Sequence, residues 1–155
     1  MDIELYDNLI VDIDGTLIYG GMCDIKSKIW NITQNPIISS ILSWLEQKLK
    51  WYKVNHKVVA HIFWHLMRDK RVIILTARKE IKSTVKLIKD ILKFPGYDFN
   101  IEIVQLGSYN PDIDKTKYIL DNIEGDWKLI DDNLMTLARV YYTCPNGVVV
   151  HPEEL

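Results

Sequence analysis

Cysteine is almost missing from this 155-residue sequence, which carries only Cys23 and Cys144. Two thiols outside any paired spacing exclude a disulfide framework and a zinc ribbon, and they read as reduced thiols of an intracellular protein. No apolar run approaches roughly 20 residues, which excludes an obvious membrane span. The first residues, MDIELYDN, lack the basic start and apolar core of a secretory signal. The expectation is a soluble, cytoplasmic protein with no membrane partner. An excess of one charge is missing too: 19 basic residues face 21 acidic ones, so any binding to a polyanion must be local. Repeats, low-complexity tracts and linkers are also absent. What remains is apolar material, 48% of the chain, enough to expect one domain over 1–155 with a substantial core.

Short β-rich apolar runs alternate with longer segments of helical period, which predicts an α/β fold with a mainly parallel sheet between helices, Rossmann-like in type. Strands are expected near Leu9 to Ile13, Arg71 to Thr76, Ile101 to Leu106, Trp127 to Asp131 and Val148 to His151. Helices are expected from Pro36 to Tyr52, Val54 to Arg68, Glu80 to Lys93, Asp114 to Ile123 and Leu134 to Val140. Pro36 suits a first helical turn and Asp114 a helix N-cap. FPG at 94–96 and CPNG at 144–147 break the pattern. Two helices, not one, separate the first two strands, after a Gly-Gly turn and an irregular stretch up to Asn35. Residues 18–52 therefore read as a small insertion that could act as a lid.

The stretch NLIVDIDGTLIYGG, residues 8–21, ends an apolar strand in two aspartates. Side chains alternate along a strand, so Leu9, Val11 and Ile13 share one face while Ile10, Asp12 and Asp14 share the other. Two carboxylates about 5 Å apart repel by about 3 kcal/mol at an effective dielectric near 20, so a positive group is expected between them. The competing reading is a β-hairpin turning at Asp14-Gly15. RVIILTARKE, residues 71–80, is a buried-type strand ending at Thr76 and leading into a helix, where a hydroxyl and free backbone N–H groups could hold phosphate. WKLIDDN, residues 127–133, again ends a strand in two acids, although a solvated turn with an N-cap would explain those alone. In an open α/β sheet, ligands bind beyond the strand carboxyl ends, so Asp12, Asp14, Thr76, Asp131 and Asp132 should converge. Oxygen ligands without nearby Cys or His favour Mg²⁺ over Zn²⁺.

The ordered set DIDGT, ILTAR, the lysines of DKTK, and LIDDN resembles the four motifs of the haloacid dehalogenase (HAD) superfamily of aspartyl phosphohydrolases, over residues 8–133. The resemblance implies that Asp12 attacks phosphorus and Asp14 serves as acid, then base. It implies Mg²⁺ held by Asp12, the carbonyl of Asp14 and Asp131, with Asp132 supporting directly or through water. Thr76 would hold a phosphoryl oxygen and a lysine would neutralise transition-state charge. Lys115, four residues before Ile119, is favoured as that lysine. Lys117, which points nearer Asp121 and Glu124, is the alternative and could instead contact substrate or form a surface ion pair. Gly15 permits the tight turn after the nucleophile and Thr16 can tether it or touch substrate.

More loosely, the layout resembles 5'-deoxyribonucleotidases and polynucleotide 3'-phosphatase domains. The expected activity is hydrolysis of a phosphomonoester on a nucleotide or a nucleic-acid terminus. The rivals are a sugar-phosphate or other small-metabolite phosphatase, a catalytically silent protein that binds a phosphate ligand, and a phosphoacceptor regulatory domain. Arg78 could grip a substrate group or a second phosphate bidentately. Lys79, Lys82, Lys86 and Lys89 recur as a basic stripe, read first as a solvated face and second as a phosphate track. Trp44 and Trp51 read as core, whereas Tyr19 and Trp30 are candidates for base stacking. His61 and His65 share a helix face and read as packing residues. A homo-oligomer is possible, but nothing in the sequence indicates one.

Overall fold

The computed structural model of the chain describes every residue except 1, 2, 80, 81, 94 and 97–99, and omits the side chains of 22, 23, 27, 30, 31, 36, 39, 40, 43, 47 and 83. In chain order the elements are β1 (Asn8–Val11), β2 (Ile18–Tyr19), α1 (Met22–Thr33), α2 (Pro36–Leu49), β3 (Lys53–Val54) and α3 (His56–Leu66). There follow β4 (Arg71–Thr76), α4 (Lys82–Ile91), β5 (Glu102–Gln105), α5 (Pro111–Asn122), β6 (Trp127–Ile130), α6 (Leu134–Thr143) and β7 (Gly147–Val150). Five strands form a parallel sheet in the order β5-β4-β1-β6-β7, and β2 and β3 form a separate antiparallel ribbon. Pairing of β1 with β4 and β6 rules out the hairpin reading of residues 11–18.

The sheet is buried on both faces, which is why its central strands read as continuous apolar runs. Leu9, Val11 and Ile13 join Val72 and Ile74 in one core beneath α3 and α4, with Val58, Ile62, Leu87 and Ile88. Ile10 joins Ile73, Leu75 and Leu129 in a second core beneath α5 and α6, with Ile119, Leu137 and Val140. The alternation expected for the first strand therefore holds. Counted along the chain, the sheet's own strands run 3-2-1-4-5, a Rossmann-like order. Such a sheet reverses direction between β1 and β6, where a crevice opens at the strand carboxyl ends. Among the described residues, no helix is long and apolar enough to cross a membrane.

Several local expectations need correction. The stretch read as irregular is the twelve-residue helix α1, with Ile25 and Ile29 one turn apart on a half-buried face and Lys26 buried beside them. Its apolar period is hard to see because a charged residue occupies part of the inward face. The β2–β3 ribbon closes residues 18–54 into a unit, and its two-residue strands are too short for an alternation signal. Helix α5 begins at Pro111, with Asn110 at the cap position, because Pro is preorganised for the first helical turn. Asp114 lies within that first turn and accepts a hydrogen bond from Ser108 Oγ rather than capping. Trp44 and Trp51 are each 52% exposed, not core. Tyr19 is exposed, while the side chain of Trp30 lies outside the described residues.

Candidate functional site

Strand register sets the site. Val11 pairs with Ile130, so the residues that follow, Asp12 and Asp131, emerge side by side at the reversal point of the sheet. Both are buried, Asp12 at 6% exposure and Asp131 at 0%, so this strand end does not face solvent. The strand end is enclosed because β1 is central and α5 leans over it. From α5, Lys115 Nζ donates to Asp12 Oδ1 at 2.7 Å and to Asp131 Oδ2 at 2.6 Å. Lys115 is itself buried, whereas Lys117 is exposed and directed away, so the two lysines are separated by burial.

Asp132 completes the acidic group: one carboxylate oxygen each from Asp12, Asp131 and Asp132 lie within 4.8 Å of one another. Two devices bring Asp132 in. Its backbone N–H donates to Thr16 Oγ1 at 3.0 Å, which realises the tethering role of Thr16. Gly15, at φ +79°, leaves the space its carboxylate needs, since a Cβ there would fall 2.0 Å from Asp132 Oδ2. The helix-capping task suspected for this acidic turn belongs to Asn133, whose Oδ1 accepts from Met135 N and Thr136 N. Asp131 and Asp132 are thereby left to the crevice.

Burial pushes the Asp12 carboxyl upward, opposed by Lys115 and reinforced by Asp131 and Asp14. Burial and Asp131 likewise raise Asp132. Burial would lower Lys115, but Asp12 and Asp131 outweigh it, so Lys115 remains an ammonium. Thr76 ends β4 on the other side of β1 and is buried, with its Oγ1 accepting from Arg78 N at 3.2 Å. Residues 77 and 78 bend after the strand, and α4 is described from Lys82; Glu80, where that helix was expected to begin, and Ile81 lie outside the described residues.

Asp14 is treated differently from Asp12. Its carboxylate is not part of the three-carboxylate group; it receives Arg78 bidentately, Nε at 2.7 Å and Nη2 at 2.5 Å, and Lys26 Nζ at 3.2 Å. Instead of one cation between the two aspartates, separate cations serve each. Burial alone would raise the Asp14 carboxyl, but Arg78 and Lys26 overcome it and hold the group well below the usual carboxylate range. Arg78 Nη2 also donates to Glu46 Oε1 at 2.8 Å, and Lys26 Nζ donates to the same oxygen at 3.1 Å. Arg78 thus lies beside Asp14, with its guanidinium engaged by two carboxylates of the protein. Its partner Glu46 on α2 and Lys26 on α1 were not singled out from sequence. The available signal was that Glu46 is the one acidic residue of α2.

The other residues marked in the sequence fall elsewhere. Lys79, Lys82, Lys86 and Lys89 are exposed, in keeping with a solvated face. His61 and His65 are buried against the first core: His65 Nε2 accepts from Tyr6 N, and its Nδ1 lies 2.8 Å from His61 O. No protein-family model, curated protein or solved structure matches this chain.

Proposed function

We propose that this protein is a Mg²⁺-dependent phosphomonoester hydrolase of the HAD type, working through an aspartyl phosphate on a nucleotide or on the phosphorylated end of a nucleic acid. One observation carries the reading: Asp12, Asp131 and Asp132 converge at the sheet's reversal point, with the buried Lys115 bonded to two of them. Three carboxylates and one ammonium leave a formal charge of −2, a hard-oxygen seat suited to one divalent ion such as Mg²⁺. The chemistry such an ion supplies is charge neutralisation, letting an anionic nucleophile meet an anionic phosphate.

In this reading an Asp12 carboxylate oxygen attacks phosphorus, and the new P–O bond forms as the bond to the leaving oxygen breaks. The leaving oxygen takes a proton from Asp14, which has first accepted it from the singly protonated phosphate of the entering substrate. Asp14, then a carboxylate, accepts a proton from water, whose oxygen attacks the same phosphorus. Inorganic phosphate departs and the Asp12 carboxylate is restored. Lys115 and the Thr76 hydroxyl stabilise the oxygens on which charge builds.

The Arg78 and Lys26 contacts describe Asp14 in a resting arrangement, fully ionised and engaged. That same engagement favours a second reading, a catalytically silent protein that binds a phosphate ligand. Phosphate release from nucleotides, sugar phosphates and 5'- or 3'-phosphorylated oligonucleotides, with Mg²⁺ or chelator, separates the two. The expected result is metal-dependent release that falls at least about 10³-fold in Asp12→Asn. Full activity in chelator rejects the site chemistry, and binding without release selects the silent protein. Release confined to sugar phosphates removes the nucleotide assignment.

A further inference from the structure

Helix α2 does something that burial alone does not favour. It leaves Ile37, Ile41 and Trp44 more than half exposed and buries the Glu46 carboxylate completely. A buried carboxylate is strongly penalised unless it is well paired, and an apolar residue at that position would serve packing better. Glu46 is moreover imperfectly paired: Oε2 lies 3.1 Å from Lys26 Nζ but accepts no aligned hydrogen bond among the described residues.

Charge explains the arrangement. Among the described residues, Arg78 and Lys26 are balanced by Asp14 and Glu46, two cations against two carboxylates. Asp14 belongs to the core turn that follows Asp12, whereas Glu46 comes from α2, in the segment 18–54. Without Glu46 the remaining three groups carry one positive charge in excess, matched by one monoanionic group. A phosphodiester carries one negative charge and takes bidentate bonds from Arg. Beside this seat, the loop 107–109 is tied to the Arg78 strand end by Gly107 N to Arg78 O and Ser108 N to Ala77 O. There Tyr109 is 55% exposed with Lys79 Nζ 5.4 Å from its ring, a surface on which a base could stack.

We propose that Glu46 is a positioning residue that holds the place of a substrate phosphodiester: the monoanion next to the scissile phosphate of a nucleic-acid end displaces Glu46 from Arg78 and Lys26. This rests on the phosphomonoesterase reading of the same crevice and narrows its substrate to strand ends over free mononucleotides. A ligand competing with an internal occupant has its apparent affinity reduced by the fraction of molecules with the seat open. Removing the occupant's charge therefore tightens binding only for ligands that use the seat.

The test is calorimetric binding, in chelator, of dithymidylate phosphorylated at its 5' or 3' end and of the two thymidine monophosphates, to wild type, Glu46→Gln and Glu46→Asp. Glu46→Gln is expected to bind one or both dinucleotides at least about tenfold tighter, with the mononucleotides nearly unchanged. Glu46→Asp, which keeps the charge on a shorter arm, should fall between. Equal tightening for mono- and dinucleotides would mean that Glu46 competes with the scissile phosphate itself, and the proposal fails. Unchanged or weaker dinucleotide binding, or failure of both variants to fold in thermal melts, makes Glu46 a structural clamp and overturns it. Selective tightening without phosphate release from any substrate keeps the placeholder and sinks the hydrolase. Release without selective tightening does the reverse.

Discussion

Helices α2 and α3 are successive helices of the chain and differ in the side chains they bury most deeply. In α3 the residues Val58, His61, Ile62, His65 and Leu66 repeat at three and four positions and form one inward face. In α2 the apolar residues Ile37, Ile41 and Trp44 face out, Ile38, Leu42 and Leu45 are half-buried, and among the described side chains of this helix Glu46 is the one that reaches zero exposure. Fully burying one such apolar side chain stabilises by about 1.5–3 kcal/mol, and the three, each half to two-thirds exposed, forgo roughly one to two times that amount. Hydrophobic area sets the orientation of α3, whereas in α2 the ion pairing of Glu46 to Arg78 and Lys26 acts beside the half-buried Ile38, Leu42 and Leu45. The helices of the sheet's core are therefore placed by packing, whereas the 18–54 segment joins the core through Ile18 and Tyr52 and binds the site by the charges of Lys26 and Glu46.

The largest expected effect falls where charge and core meet. Lys115→Met removes the ammonium between two buried carboxylates, and breaking a buried pair by removing one partner costs about 3–5 kcal/mol. The loss should appear in urea denaturation. Because the three carboxylates then stand unrelieved, millimolar Mg²⁺ should recover more stability in the variant than in wild type. A variant as stable as wild type without metal would show that the carboxylates do not depend on Lys115.

On the α3 side the comparison can be sharpened by pH. Burial, with Lys128 and His65 adding, lowers His61 to about 4, and burial also lowers His65. Both are neutral when folded, while the unfolded chain takes up protons below about pH 6.5. Stability is then at its full value above that pH and is lost as pH falls from about 6.5 towards 4, by up to about 3 kcal/mol for His61. Denaturation midpoints measured across this window should show the loss, and His61→Leu should flatten the slope. His61 Nδ1, buried without a hydrogen-bond partner among the described residues, gives the leucine variant a second reason to hold its stability at low pH. An unchanged slope would place the acid sensitivity elsewhere.

Gly15→Ala comes next. The new methyl would meet the Asp132 carboxylate in a backbone conformation at φ +79°, a strain of about 1–3 kcal/mol. Turn and carboxylate must both shift, so Mg²⁺ affinity measured by titration should drop along with stability. Lost stability with unchanged metal affinity would separate Asp132 from the ion.

These expectations divide along the same line as what could be read from sequence. The central parallel strands were legible because they are buried on two faces and read as largely apolar runs, as Val72 to Leu75 does. Asp12, Thr76 and Asp131 were legible because strand ends in such a sheet line its crevice, and Lys115 because it shares an inward face with Ile119. Helix α1, the burial of Glu46 and the exposure of Trp44 and Trp51 were not. Hydrophobic periodicity assumes that apolar residues turn inward, and in this segment a buried Lys26–Glu46–Arg78 network overrides that rule. The burial of Asp12 has no local signal for a related reason: its enclosure comes from α5, more than a hundred residues further on.

The smallest expected effect tests whether the apolar face of α2 contributes to the fold at all. Trp44 is 52% exposed, and Lys48 Nζ stands 5.9 Å from the centre of its ring, a solvent-side cation–π contact. Such a contact contributes about 0.5–1 kcal/mol at an exposed site, and surface substitutions away from buried features usually lie within about 0.5 kcal/mol. Trp44→Ser should therefore shift the urea midpoint only slightly, far less than truncation of a comparably large residue in the core beneath α3. A loss above about 2 kcal/mol would mean that this face is covered in the folded protein in solution. Orientation by ion pairing would then be the wrong account of α2. Agreement with the small value leaves Glu46, not Trp44, as the residue that holds the helix to the site.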